Sequence, residues 1–423
     1  MDYRFDVDPH LPALPMAFDL DAVSRLFEER WPVHGGLARA HVPVNARRLL
    51  DTKYQPSKRC VTSYELLVEH PANIFRTTIG AVEVTPTGIA HRLFVDDPEL
   101  PGLRTATDPV AMAERFATLL ERMGCAAAVE SCQVIPIRYK PESRCVVRYD
   151  LRTSTGRQIL YGKLIAQNGE GLTATINELY RVSQDMPGMP RIARPLAYWP
   201  EIQMLVQPAI RGDELNIRAF DNAESYTKRV QWMHEAGASL AALHASAAID
   251  GLLRTLADDL SELEQYRAPV MIVSRTLGTR YEEALTAIAS MARGRVEPAP
   301  VKSHGAFRTD QLLVENDRLT VIDLDSFCWA NPARDIGNFL AYLDWKAIRK
   351  PQHAAFIERA KCTFIEGYVE VRPVLDPFWL ALYQAISLLK IAGRRFRSLT
   401  FAEMPLVPHL LDLTFETLTG AAD

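Results

Sequence analysis

A thirteen-residue pattern occurs twice in this chain, and it constrains the fold more than any other feature. Tyr54-Gln55-Pro56-Ser57-Lys58-Arg59-Cys60-Val61-Thr62-Ser63-Tyr64-Glu65-Leu66 runs parallel to Tyr139-Lys140-Pro141-Glu142-Ser143-Arg144-Cys145-Val146-Val147-Arg148-Tyr149-Asp150-Leu151. Seven positions are identical and an eighth is acidic in both. Each copy holds a β-rich run, a proline-containing turn and a second β-rich run, which reads as a hairpin. A helical-looking segment precedes each copy, Leu20 to Trp31 and Val110 to Met123. The pattern predicts a duplicated β-rich module, and two units are too few for a solenoid.

Downstream, Ile159 to Ile165 reads as a further strand, Leu172 to Val182 has helical periodicity, and Ala193 to Tyr198 and Met204 to Ile210 are short apolar runs. From about Tyr226 the character becomes helical. Met233, Gly237, Leu240 and His244 share one face, as do Leu382, Ile386, Leu389 and Phe396 near the C-terminus. Two β-like runs, Gln311 to Val314 and Leu319 to Ile322, lie between them. A length of 423 residues exceeds what one core usually serves. The divisions expected are an N-terminal α+β module at 1–125, a β-rich lobe at 126–212 and a helical lobe at 213–423. The fold class is α+β, a bilobal kinase outline with a small antiparallel lobe, a larger helical lobe and a duplicated hairpin module at the N-terminus.

Charge and cysteine usage narrow the function classes. A formal net charge of -4 gives no ground for a nucleic-acid or membrane partner. The acidic start Met1 to Asp6 does not read as a secretory signal, and no apolar stretch approaches a spanning length. The six cysteines form no close pair, so they are expected to be buried thiols in a reducing, cytoplasmic compartment.

Phosphoryl transfer needs a cation on the phosphates, metal ligands and a group that orients the nucleophile. Lys163 on a strand and Glu178 on the next helix could supply the first as a pair, or could be a solvated edge lysine and an exposed helical glutamate. The stretch from Ser303-His304-Gly305-Ala306 through Asp310-Gln311 to Val321-Ile322-Asp323-Leu324-Asp325 and Asn331-Pro332-Ala333-Arg334-Asp335 is more specific. Asp323 alone could be a turn former. The ordered set resembles kinase catalytic and metal-binding loops.

This block is similar to the signature of the aminoglycoside/choline phosphotransferase superfamily, His-Gly-Asp-x-x-x-x-Asn followed by Ile-Asp-x-acid and Pro-x-x-Asp. The helix ending Leu240 to His244 and the hairpin Arg138 to Pro141 strengthen the resemblance, which covers roughly residues 130–400. It implies an ATP- or GTP-dependent, Mg2+-dependent transfer to a small-molecule hydroxyl. It implies that Lys163, held by Glu178, binds phosphates and that Gln207 to Ala209 form the hinge that meets adenine. Asp323 would be the main metal ligand, Gln311 would replace the second ligand and Asp335 would brace the loop opened by His304.

Two positions depart from the family. Ala306 stands where the catalytic Asp belongs, and Gln311 is one methylene longer than Asn. A Gly-rich phosphate loop is also missing, which leaves Lys140 or Arg144 to meet phosphates by charge. Asp325 or Asp310 could bind a second metal or orient the acceptor. A pseudokinase that senses nucleotide, or docks a protein partner through its N-terminal module, is the competing expectation. An unrelated α+β protein with a coincidental motif is a third. Arg394-Arg395-Phe396-Arg397 reads as a solvated face or as a patch for an acidic substrate or partner.

Overall fold

A computed structural model describes residues 8–29, 31, 43–70, 74–125, 127–220, 224–246, 251–316 and 318–420. The stretch Met1 to Asp6 lies outside the described residues, as does Arg30 within the expected first helix. Helix α1 (Leu20–Glu29) precedes strands β1 (Val44–Gln55), β2 (Arg59–His70), β3 (Ile74–Thr85) and β4 (Gly88–Leu93), which form an antiparallel sheet in that order. Helices α2 (Leu103–Ala106) and α3 (Pro109–Arg122) lead to β5 (Val129–Lys140), β6 (Arg144–Thr153) and β7 (Gly156–Ile165). Then come α4 (Gly169–Asp185), β8 (Arg191–Ile192), β9 (Ala197–Trp199) and β10 (Met204–Pro208). The second sheet has the order β5-β6-β7-β10-β9.

The repeated sequence has one physical explanation in both sheets. In each hairpin the proline precedes a residue with left-handed backbone, Ser57 at φ 58° and Glu142 at φ 59°. Such a turn favours Gly or Asn there, and another residue costs about 1 kcal/mol or more. A buried carboxylate outside the repeat offsets the cost. Asp8 accepts from the Tyr54 hydroxyl at 2.7 Å and the Ser57 N–H at 2.7 Å. Asp97 accepts from the Tyr139 hydroxyl at 2.6 Å and the Glu142 N–H at 2.8 Å. Burial, and then the carboxylate, raise both phenols well above their ordinary value, which keeps them donors. The second tyrosine of each copy also has one job: Tyr64 donates to the Ala17 carbonyl and Tyr149 to the Ala106 carbonyl.

Helix α3 buries Met112 and Phe116 in a core with Tyr139, Cys145 and Tyr149 of the second sheet, and Ile79 and Ala81 of β3 reach the same core. The N-terminal sheet also packs on the helical lobe. Leu14, Phe27, Tyr64 and Val84 share a continuous core with the C-terminal helices.

The helical lobe begins with β11 (Asp213–Glu214), α5 (Leu215–Phe220), α6 (Tyr226–Ala245), α7 (Leu256–Val273) and α8 (Arg275–Ala292). Strands β12 (Val301–Ser303), β13 (Leu312–Glu315), β14 (Arg318–Val321) and β15 (Cys328–Ala330) come next, then α9 (Ala333–Arg349), α10 (Ala354–Val371), α11 (Pro377–Arg397) and α12 (Val407–Thr419). Strand β8 pairs parallel with β14, so the segment after α4 is tied to the floor of the cleft. Met233, Gly237, Leu240 and His244 are all buried on α6. Gly237 and Gly367 let α6 and α10 touch, since a Cβ on either would collide with a carbonyl oxygen of the other helix.

Among the described residues no helix is long and apolar enough to cross a membrane. All six cysteines are unpaired; Cys60, Cys132, Cys145 and Cys328 are buried, whereas Cys125 and Cys362 are exposed, against the expectation that all would be buried. Both are at helix ends or faces that the apolar runs around them did not distinguish.

The carboxylate-braced turns can be tested through stability. Asp97→Ala should lower unfolding free energy by about 3 kcal/mol, because it orphans one buried and one part-buried donor, and Tyr139→Phe by about 1 kcal/mol. Urea denaturation of the two variants and the parent checks the ordering.

Candidate functional site

Two strands of the second sheet bring cations to the roof of a cleft, and the β13–β14 hairpin brings carboxylates to its floor. Lys163 on β7 is mostly buried and donates to Asp323 at 2.8 Å, and it also pairs with Asp325. Arg144 at the start of β6 pairs with Asp325 and lies 3.9 Å from Asp323. Gln311, just before β13, reaches Asp323 at 3.4 Å through Nε2. Asp323 has left-handed backbone at φ 61°, which is strained for a non-glycine residue. Burial opposes ionisation of Asp323, but Lys163 and then Arg144 and His304 hold its carboxyl well below the usual range. Buried ion pairs return little net stability after desolvation, so this cluster is poorly explained by folding alone.

The loop between β12 and β13 is fixed mainly through its backbone. Asp335, near the start of α9 and fully buried, accepts from the His304 N–H at 2.6 Å and the Gly305 N–H at 2.9 Å. His244 on α6 lies 3.4 Å from Asp335 and 2.8 Å from the Tyr368 hydroxyl. Burial favours the neutral form of His244, whereas Asp335 stays ionised because His244 and His304 outweigh the cost of burial. Arg334 donates to the Gly305 carbonyl at 2.8 Å, and Asn338 to the Phe307 carbonyl at 2.8 Å. Gly305 has φ 81°, and a Cβ there would collide with the Ser326 carbonyl oxygen. The loop therefore has little freedom, and the Ala306 methyl is what it presents at the position expected for a base.

Two cavities flank that position. One, of about 610 Å³, runs from Gln207 and Pro208 on β10 to Lys163, Gln311 and Asp323. The other, of about 500 Å³, lies in the helical lobe against Gly305, Ala306, Asn338 and Tyr342. Asp325 and Arg308 line both.

Several residues singled out from sequence sit elsewhere. Glu178 does not hold Lys163: it is exposed on α4 and pairs with Arg181 at 2.6 Å, while Lys163 turns to the floor carboxylates. His304 lines neither cavity; its ring is buried against Phe307 and bonds the Ile322 carbonyl at 3.0 Å, which makes it a positioning residue. Lys140 ends β5 outside the larger cavity, and burial with Arg144, Arg138 and Arg394 nearby pushes its amine down to about 8. Asp310 lines the larger cavity and pairs with Arg308 at 2.6 Å. Gln207 lies on β10 opposite Tyr161, and the next N–H available, that of Ala209, is already bonded to the Ile159 carbonyl at 3.1 Å. Arg138, Arg308, Tyr342 and Lys390 were not anticipated; Arg138 lies in the stretch Arg138 to Pro141 and would have been found by following strand alternation two residues back from Lys140.

Among the described residues no three His, Cys, Asp or Glu side chains converge as a metal cluster. Asp323, Asp325 and Gln311 nevertheless offer the donors a divalent hard cation takes, two carboxylates and an amide oxygen. The Gln311 Oε1 is buried without a hydrogen-bond partner, and Lys163 bridges the two carboxylates as a cation. The residues present fit such an ion.

Comparison with known proteins bears on the fold. Residues 177–374 match the family model described as the phosphotransferase enzyme family. A candidate aminoglycoside phosphotransferase from Ralstonia eutropha JMP134 superposes with a TM-score of 0.51 at 13% identity, covering 73% of this chain and 98% of its own. The apo form of a thermostable variant of aminoglycoside phosphotransferase APH(4)-Ia gives 0.50 at 14% identity, covering 72% and 99%. The chain has the aminoglycoside-phosphotransferase fold. No curated protein matches the sequence. The solved proteins are spanned almost whole by about seven-tenths of this chain, so the kinase-like fold comes here with additional chain.

The tight loop and the charged wall of this kinase-like site can each be tested. Gly305→Ala should cost on the order of 2 kcal/mol through strain and displacement of the Ser326 carbonyl, read as a lowered Tm. Glu262 on α7 is held at about 2 rather than 4.5, its burial being outweighed by Lys390, Arg394 and Arg254. A depressed carboxyl stabilises fully above pH 4.5 and loses that contribution as pH falls towards 2. Glu262→Gln should flatten the decline of stability over that window in pH-dependent denaturation.

Proposed function

We propose that the protein transfers the γ-phosphoryl group of ATP, with Mg2+, to a hydroxyl group of a small molecule. The observation that carries this reading is the meeting of two cavities at Asp325 beside the backbone-braced Ala306 loop. The larger cavity has an apolar wall from Val146, Leu205 and Val321 for a base, and cations and metal donors at its far end for phosphates. The smaller one offers room for the acceptor. Lys163 and Arg144, now on carboxylates, are the groups that would take phosphate oxygens. Asp323, Asp325 and Gln311 would hold the metal ion, which would neutralise charge on the phosphates.

In the reaction the acceptor oxygen forms a bond to the γ-phosphorus while the bond to the β–γ bridging oxygen breaks and ADP leaves. The hydroxyl proton passes to a carboxylate, and Asp325 is the acid that lines both cavities. A loose transition state asks little of a base, so positioning by Asp325 is compatible with alanine at 306. Unpaired thiols fit a reducing compartment such as the cytoplasm.

Purified protein with ATP and Mg2+ should show acceptor-dependent ADP release. Asp323→Ala should reduce that turnover by a factor on the order of a thousand while circular dichroism and Tm stay close to the parent. Turnover unchanged in this variant would contradict the assignment. ATP binding by the parent without transfer to any acceptor would favour the pseudokinase reading that Ala306 motivates.

A further inference from the structure

We infer that the molecule received by the 500 Å³ cavity carries an anionic group, a carboxylate or a phosphate, bound chiefly by Arg394 with Lys390 and Arg308. To call this molecule the phosphoryl acceptor rests on the reaction proposed above; the anion site itself rests on the cavity.

Three helices build the cavity with pairs one turn apart. Helix α7 contributes Asp258 and Glu262, α9 contributes Asn338 and Tyr342, and α11 contributes Lys390 and Arg394. Arg254, Arg308 and Arg334 complete a lining of five cationic side chains against three carboxylates. Those carboxylates are already engaged. Asp258 accepts from the Thr255 N–H and hydroxyl, both at 2.8 Å, in a helix cap. Asp325 is held by Lys163 and Arg144 from the roof. Glu262 alone faces Lys390 at 2.6 Å, Arg254 at 2.5 Å and Arg394 at 3.6 Å. Arg334 is matched by Asp259 behind the wall at 2.9 Å, and Arg254 shares that same acid at 2.8 Å.

Arg394 has the weakest anionic partner of the five. Its guanidinium ends on two phenol oxygens, Tyr342 at 3.2 Å and Tyr266 at 3.5 Å. Arg308 stacks over the Tyr342 ring at 4.9 Å. The same cations act on their titratable neighbours. Burial and Arg394 push Lys390 down to about 8. Tyr342 is buried, which should raise its phenol, but Arg394 and Arg308 bring it below its ordinary value. A planar guanidinium beside an open cavity is suited to a carboxylate or phosphate, and the same field rejects an ammonium. The run Arg394-Arg395-Phe396-Arg397 thus divides: Arg395 turns away to Glu403, and Arg397 stacks on Tyr266.

The test uses four hydroxylated probes of matched size: glucose, glucosamine, gluconate and glucose 6-phosphate. Binding to the full chain is measured by calorimetry, with and without a saturating non-hydrolysable ATP analogue that fills the phosphate sites of the larger cavity. Gluconate or glucose 6-phosphate should bind, neutral glucose and cationic glucosamine should not, and added salt should weaken the interaction. Which of the two acids binds identifies the anion as carboxylate or phosphate. Arg394→Gln should weaken the acid by about tenfold or more, the loss of one charge-assisted bond. Arg308→Gln should act in the same direction, and circular dichroism and a Tm close to the parent's show that each variant is folded. Glucosamine bound in preference, no acid bound by protein that binds the analogue, or acid affinity unaffected by both variants would overturn the inference. Acid binding that persists in protein unable to bind the analogue would support the anion site and remove the phosphotransfer reading.

Discussion

Lys163 and Arg144 reach across a cleft to Asp323 and Asp325, and the rest of the molecule is arranged around that charge contact. Two cations and two acids this close are costly to desolvate, and a pure scaffold would gain as much from apolar packing. Much of the surrounding structure keeps them in place. Strand β7 is central in its sheet, β14 is paired on both sides, and Asp323 is held in a left-handed conformation at the strand end. The cluster resembles a site in which cations wait on carboxylates until phosphates and a metal ion redistribute the charges.

The additional N-terminal module has a mechanical relation to that site. The turn at Pro141 and Glu142, at the head of the hairpin that carries Arg144, has no glycine to make it pliable. It is held instead from outside. Asp97 fixes its backbone, and Glu142 pairs with Lys53 at 3.2 Å and Arg59 at 2.6 Å from the first sheet. The first sheet in turn shares its core with α7 and α11 of the helical lobe. One module therefore touches both lobes and stiffens the hairpin that carries Arg144. The two hairpins, each with a carboxylate-braced turn, face each other through a salt-bridged contact.

Much of this was readable from residues. Tyr54 and Tyr139 mark equivalent hairpins, and the β7 position of Lys163 and the hairpin ending at Asp323 follow from apolar runs and their spacing. What sequence could not show depends on direction in three dimensions. Glu178 lies on the expected helix, but its side chain points to Arg181 rather than to the sheet. His304 opens the expected loop, yet its ring turns inward to Ile322. The buried acids Asp8 and Asp97, which make the repeated tyrosines necessary, are distant from the repeats in sequence. The cationic cavity was legible only in the Arg394 run, read as a solvated face or a patch for an acidic substrate or partner, because Arg254, Arg308 and the α11 pair Lys390 and Arg394 come from separate elements and only the fold collects them. Similarity to known proteins supports the fold and the phosphotransferase family over residues 177–374; the site roles rest on the geometry.

The most direct test is a crystal structure of the full chain with Mg2+ and a non-hydrolysable ATP analogue. The base is expected between Gln207 and Val321, with Lys163 and Arg144 moved from Asp325 onto phosphate oxygens. The metal ion is expected on Asp323, and the γ-phosphate facing Ala306 at the mouth of the cationic cavity. An analogue bound with its phosphates away from Lys163 and Asp323, or a cleft that stays empty at saturating analogue with the ion pairs intact, would contradict this reading of the charge cluster.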